Sequence, residues 1–353
     1  MINPVMIQIA RESRGWTQSD LAKVVGVSQG AISQYEVGLL PTPPRIAEAI
    51  AEKLNYTIDL LEQTDPVIAV GGDFLYRRRA SVSAKVRRRV EAEANIRKLQ
   101  VQRLLRSVEV DAPRTFPARQ PEEVGGRVEN VAQEVRRAWR IPAGPIRNIT
   151  RLIENHGGVI FLMDFESDDI DGTNLRQPGI PPLLFMNSKV SGERHRFSLA
   201  HELGHLVMHF QTTTGDAEDE AQTFAREFLM PRSDIRTDLR NLDLPAAARL
   251  KQVWGVSMQA LIFHAKELRL ITDSRYRRLF TALNARGHRV VEPLPLPFEQ
   301  PEAFEAMKDY HVARLGWTKR DLDSLLFTDQ LGSAPLPVVP RLRLTGGLFD
   351  DPF

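Results

Sequence analysis

Apolar residues return every three or four positions through most of this chain, the spacing of helices that bury one face. In residues 1–65 the rhythm is cut into short pieces. It predicts helices over Pro4 to Arg14, Gln18 to Val25, Ser28 to Val37 and Pro43 to Leu54, with a brief fifth near Thr57 to Leu61. Thr17 and Ser28 stand where a side-chain oxygen caps a helix start, Gly15 and Gly26 stand just past helix ends, and Pro43 or Pro44 can open the fourth helix. Leu21, Val24, Val25, Val27, Ile32 and Tyr35 are expected to share one small core. Farther on, Val82, Val86, Val90, Ile96 and Leu99 keep helical spacing, which predicts one long helix with an apolar stripe. The proline-rich stretch Asp111 to Pro121 reads as a linker.

Helical spacing resumes from Pro121 to His156 and ends at Gly157 and Gly158. The apolar runs Val159 to Met163 and Leu183 to Asn187 are short enough to be buried strands, and the segment between them is polar and turn-rich. From Arg196 to about Leu270 the pattern is helical again, and the last 80 or so residues mix helices with proline-rich joints. The expected fold is mainly α with a small β-sheet (α+β), divided at 1–65, 66–120, 121–270 and 271–353. No internal repeat is found.

At 353 residues and 42% hydrophobic content, the chain can bury two or three compact cores, which excludes wholesale disorder. The net charge of +2 is too small to announce a nucleic acid or a membrane, so the local charge decides. Between Tyr76 and Arg106, eleven basic residues face two acidic ones, whereas residues 1–65 hold five basic residues against eight acidic ones. With no cysteine, disulfides, thiolate metal sites and cysteine nucleophiles are excluded, so a metal must use His, Asp or Glu. The start lacks a leader pattern and no run approaches the roughly 18 apolar residues of a membrane span. A soluble, cytoplasmic protein with no membrane partner is expected.

The segment RFSLAHELGHLVMHF carries His201, Glu202 and His205 as HExxH. Positions i and i+4 lie on one helical face, so both imidazoles can bind one zinc ion (Zn2+), while Glu202 can take a proton from a water on that ion. A third ligand is needed. In the following helix, Ala221, Phe224, Ala225 and Phe228 mark the buried side; Glu218 shares that side and is the first choice, with Glu220 the second. His209 is read as a packed histidine ahead of a ligand or a transition-state donor. His195, Arg194 and Tyr276 are candidate oxyanion donors, and Asp164, Asp168, Asp169 and Asp171 read as a solvated acidic loop.

Gln18 to Val37 fits two helices joined at Gly26 and Val27. In that arrangement the N-terminal part of the second helix meets base edges, which makes Gln29, Ser33 and Gln34 readers of double-stranded DNA and suits Gln18 and Ser28 to phosphate contacts. The recognition helix has no Lys or Arg, so phosphate neutralisation must come from elsewhere. The basic Tyr76 to Arg106 segment can supply it, a homodimer can make up for it, or the module has become a protein-interaction domain.

Residues 5 to 61, and above all SQGAISQYE, resemble the Xre (Cro/C1-type) helix-turn-helix family. Residues from about 121 to 270 resemble the ImmA/IrrE-type zinc metallopeptidases through RFSLAHELGHLVMH and the later ExExAxxFAxxFLMP. On these resemblances 1–65 is a helix-turn-helix DNA-binding domain, 66–120 a basic helix and linker, 121–270 a zincin-like peptidase domain and 271–353 a helical extension. The second resemblance implies a small three-stranded sheet, zinc held by His201, His205 and Glu218, and Glu202 as catalytic base. It also implies a transcriptional regulator that cleaves a repressor-like protein at or near an operator. Some fusions of this kind resemble antitoxins encoded beside a toxin, so an antitoxin or autorepressor that mainly binds a partner is the alternative. Where the family usually has Asn after the alanine, this chain has Gln222.

Overall fold

The computed structural model describes residues 1–65, 83–106, 116–167, 169–209 and 216–328, with the backbone of 108–110 and 342–344. Helices dominate. The first are α1 (Pro4–Ser13), α2 (Gln18–Val25), α3 (Gln29–Glu36), α4 (Pro44–Lys53), α5 (Ile58–Leu61) and α6 (Ala84–Arg106), followed by strand β1 (Val108–Val110). After a 3₁₀ turn at Pro121–Val124 come α7 (Val128–Ala138), α8 (Ile149–Asn155) and strands β2 (Val159–Met163), β3 (Gly172–Leu175) and β4 (Leu183–Asn187). Then follow α9 (Gly192–Met208), α10 (Ala217–Leu229), α11 (Arg232–Ile235), α12 (Leu244–Trp254), α13 (Met258–Glu267), α14 (Asp273–Ala285), α15 (Ala303–Leu315), α16 (Lys319–Leu325) and β5 (Leu342–Leu344).

The chain forms two compact units. One comprises Met1–Ala112, Phe165–Asp169 and Ala303–Phe353; the other comprises Pro113–Asp164 and Ile170–Glu302. In the first, α1 to α5 close around Ile7, Leu21, Ile32, Ile50 and Leu60, and Ala92, Ile96 and Leu99 of α6 join the same core with Phe327. The caps expected from sequence are present: Thr17 and Asp20 form a reciprocal capping box, Ser28 accepts from the Ala31 N–H, and Gly26 ends α2 with φ +79°. Val24 departs from its expected core position and is 42% exposed. At 100° per residue the buried face of α2 centres between Leu21 and Ala22, which turns Val24 outward.

Val90, Ile96 and Leu99 of the basic helix are buried as the stripe predicts, while Val82 lies outside the described residues. Much of its charge is engaged within the unit. Arg89 bonds Glu93, and the Arg97 and Arg103 guanidinium groups lie over the rings of Phe304 and Phe327. Lys85 and Arg88 are exposed; Arg77, Arg78 and Arg79 lie outside the described residues.

In the second unit, β2 and β4 run parallel with Phe161 opposite Phe185, and β3 runs antiparallel to β4 with Thr173 opposite Phe185. The order β2-β4-β3 leaves β3 at an edge and buries all five residues of β4. Leu199, Leu203, Leu206 and Val207 of α9 share one core with Phe224 and Phe228 of α10. Among the described residues no helix is long and apolar enough to cross a membrane.

Candidate metal centre and DNA-reading face

α9 starts where Ser191 caps the Arg194 N–H and runs through the core, so most of its polar residues, though not Arg194, are largely removed from water. His201 and Glu202 are both buried. Buried polar side chains need partners, and the fold supplies them from α10 and β3. The close approach of α10 depends on Gly204: a Cβ there would lie 3.1–3.2 Å from three atoms of Phe224. With no side chain at that point, the first turn of α10 brings Glu218 over the two histidines.

The Nε2 atoms of His201 and His205 lie 3.1 Å apart, and Glu218 places Oε2 3.5 Å from the first and Oε1 3.4 Å from the second. A tetrahedral zinc ion with ligand bonds of about 2.0–2.1 Å has ligand-to-ligand edges of roughly 3.3 Å. The three side chains thus converge at separations that fit a common metal ion, with Glu218 offering a different oxygen to each histidine. Among the described residues this is the one cluster of three metal-ligating side chains. Burial opposes ionisation of Glu218, yet its contacts within the cluster, the hydrogen bond from His201 foremost, hold its carboxyl well below the ordinary carboxylate range. Glu202 accepts a 2.6 Å hydrogen bond at Oε2 from Asn174 Nδ2 on β3, which fixes one carboxylate oxygen.

Glu220 sits elsewhere from Glu218, as their angular separation requires. Its Oε2 is 2.8 Å from His209 Nε2, and His209 Nδ1 is 2.9 Å from His205 Nδ1. Sequence alone favoured a packed histidine at 209; the ring is indeed buried, and it is also hydrogen-bonded on both nitrogens. Burial pushes this imidazole below its ordinary range, against the pull of Glu220. The other candidate donors have different partners. Arg194 pairs with Asp171 at 2.7 Å, Tyr276 lies against Phe280 beneath Lys266, and His195 is buried against Phe298 and Thr150. Asp164 pairs with Lys189, and Asp168 lies outside the described residues. Gln222 is exposed on α10.

In the first unit, α2 and α3 form the two helices of the expected DNA-reading arrangement. Gln29 and Gln34 are exposed on α3, Ser33 is half-buried, and Ser28 lies at the exposed N-terminus. A chain of hydrogen bonds that sequence reasoning missed runs from the core to this face. Arg11 grips Glu36 through Nε at 2.5 Å and through a terminal nitrogen at 2.8 Å. Glu36 accepts from Gln18 Nε2 at 2.8 Å, and Gln18 Oε1 accepts from Gln29 Nε2 at 2.7 Å. Gln18 and Gln29 are thus held side by side by a buried ion pair.

Comparison with known families agrees with both descriptions. Residues 7–61 match the helix-turn-helix family model, and residues 153–266 match the peptidase family model described as the IrrE N-terminal-like domain. No curated protein gives a significant match to the chain.

Proposed function

Because this chain joins an Xre-type helix-turn-helix domain to an IrrE-type peptidase domain, we propose that it is a DNA-bound transcriptional regulator whose second domain is a zinc-dependent endopeptidase acting on a regulatory protein. The observation that carries the proposal is the convergence of His201, His205 and Glu218 within reach of one metal ion beside a fixed Glu202 carboxylate. In this reading His201, His205 and Glu218 hold the ion. When bound, zinc supplies Lewis acidity toward water and a scissile carbonyl. Glu202, tethered by Asn174, takes the proton of the attacking water and returns it to the leaving amine.

At the DNA face, Gln29 and Gln34 read base edges, Ser33 adds a hydroxyl contact, and Gln18 and Ser28 touch phosphates at the helix starts. Gln29 uses one amide hydrogen on Gln18 and keeps the other, with its carbonyl oxygen, for the paired donor and acceptor of an adenine. The exposed Lys85 and Arg88 of α6 belong to the same unit and add charge that α3 lacks. A homodimer on two half-sites strengthens such binding further.

Incubating the purified chain with a peptide library tests the enzymatic half. The wild type is expected to cleave a subset of peptides, and Glu202→Gln is expected to keep its zinc and cleave none. Cleavage by the variant at the wild-type rate would refute the role given to Glu202. If Glu202→Gln leaves repression and partner neutralisation in the cell untouched, an antitoxin or autorepressor that works by binding takes precedence.

A further inference from the structure

We propose that His209 and Glu220 are positioning residues of the metal centre: together they fix the tautomer of His205, so that its Nε2 presents a bare lone pair to the ion. The inference rests on the reading of His201, His205 and Glu218 as ligands, and it follows from proton bookkeeping along three groups in line. A Glu220 carboxylate can only accept, so the 2.8 Å contact requires the proton of His209 to be on Nε2. A neutral His209 then has a lone pair on Nδ1. The 2.9 Å contact between the two Nδ1 atoms needs one donor, which must be His205. His205 Nε2 is left unprotonated and faces His201 Nε2 and Glu218 Oε1.

No other assignment of neutral rings satisfies both contacts. Imidazole ligands are ordinarily oriented this way by an outer hydrogen-bond partner, and loss of that partner typically weakens metal binding about 10–100-fold. The two ligand histidines differ here. His201 Nδ1 is buried with no hydrogen-bond partner among the described residues, so packing alone orients that ring. The backbone supports the pair, because His209 caps the C-terminus of α9 and its N–H bonds the His205 carbonyl at 2.9 Å. One turn of helix thus stacks the ligand on its support.

The test uses full-length protein and two readouts. In metal-free chain at a pH where the rings are neutral, nitrogen NMR should show His205 as a single Nδ1–H tautomer. In His209→Phe, which keeps the ring but removes the acceptor, a substantial Nε2–H population should appear. Chelator competition with zinc should show affinity about 10–100-fold weaker in His209→Phe, with most of it restored in His209→Gln, whose amide oxygen can accept from Nδ1. Circular dichroism verifies that the variants fold, and Glu220→Gln gives a second variant without change of size. A folded His209→Phe with the Nδ1–H tautomer intact and zinc affinity within twofold of wild type would overturn the inference while leaving the ligand set standing. A wild-type chain that shows the fixed tautomer but takes up no zinc would overturn the ligand reading instead.

Discussion

Replacing Gly204 by alanine tests whether the α9–α10 approach builds the site. The new Cβ would lie 3.1 Å from Phe224 Cδ1 and 3.2 Å from its Cβ and Cγ. That is several tenths of an ångström inside ordinary contact. Phe224 has nowhere to retreat, being fully buried and stacked on Phe228 at a ring separation of 5.5 Å. Two opposing effects follow. Alanine in a helix interior gains about 1 kcal/mol over glycine, whereas overpacking a filled core costs about 1–3 kcal/mol. The cost is specific to Phe224 and the gain is not, so a double-mutant cycle separates them. Urea unfolding should show Gly204→Ala to be neutral or destabilising in the wild-type background. In a Phe224→Ala background, where the cavity relieves the clash, the same change should be stabilising by about 1 kcal/mol. Zinc affinity should fall in the single variant, because Glu218 rides on the displaced helix. Equal effects of Gly204→Ala in both backgrounds would refute the reasoning.

His195 should make stability fall in mild acid: burial lowers its pKa to about 4, with Arg196 adding to the effect. The unfolded chain takes up this proton near pH 6.5 and the folded chain does not, so the contribution is complete above about 6.5. It is lost as pH falls toward about 4 and amounts to about 3 kcal/mol. Urea titrations across that window should show a shallower slope for His195→Gln, and an unchanged slope would contradict the assignment. For DNA binding, Gln29→Ala should cost about 1–3 kcal/mol at its base position while leaving the salt dependence alone. Lys85→Gln with Arg88→Gln should flatten the salt dependence and leave base preference intact; footprinting and salt titration distinguish the two, and identical behaviour would sink the division of roles.

Much of this was legible in residue order because local signals carried it. The caps at Thr17 and Ser28, the stripe through Val90, Ile96 and Leu99, and the apolar runs of β2 and β4 each state their structure within a few residues. HExxH announces its own geometry, since a helix must bring i and i+4 together. What could not be read was set by long-range partners. The strand β3 has no apolar run and exists through pairing with β4, so Asn174 could not be seen to approach Glu202. His209 was ambiguous until Glu220 stood beside it, and the Arg11–Glu36 pair behind Gln18 spans 25 residues. The inclusion of α15 and α16 in the same compact unit as the helix-turn-helix carries no local mark. Gly204 offered a faint signal, a glycine within a buried helix, which usually marks a close approach.

Whether His201, His205 and Glu218 hold a metal is decided by zinc per chain in wild-type protein purified without added metal, measured beside Glu218→Ala and His205→Ala. The wild type should carry close to one zinc, and both variants should lose enough affinity to empty the site on dialysis. A well-folded wild-type chain that neither carries zinc nor takes it up on addition would contradict this ligand assignment.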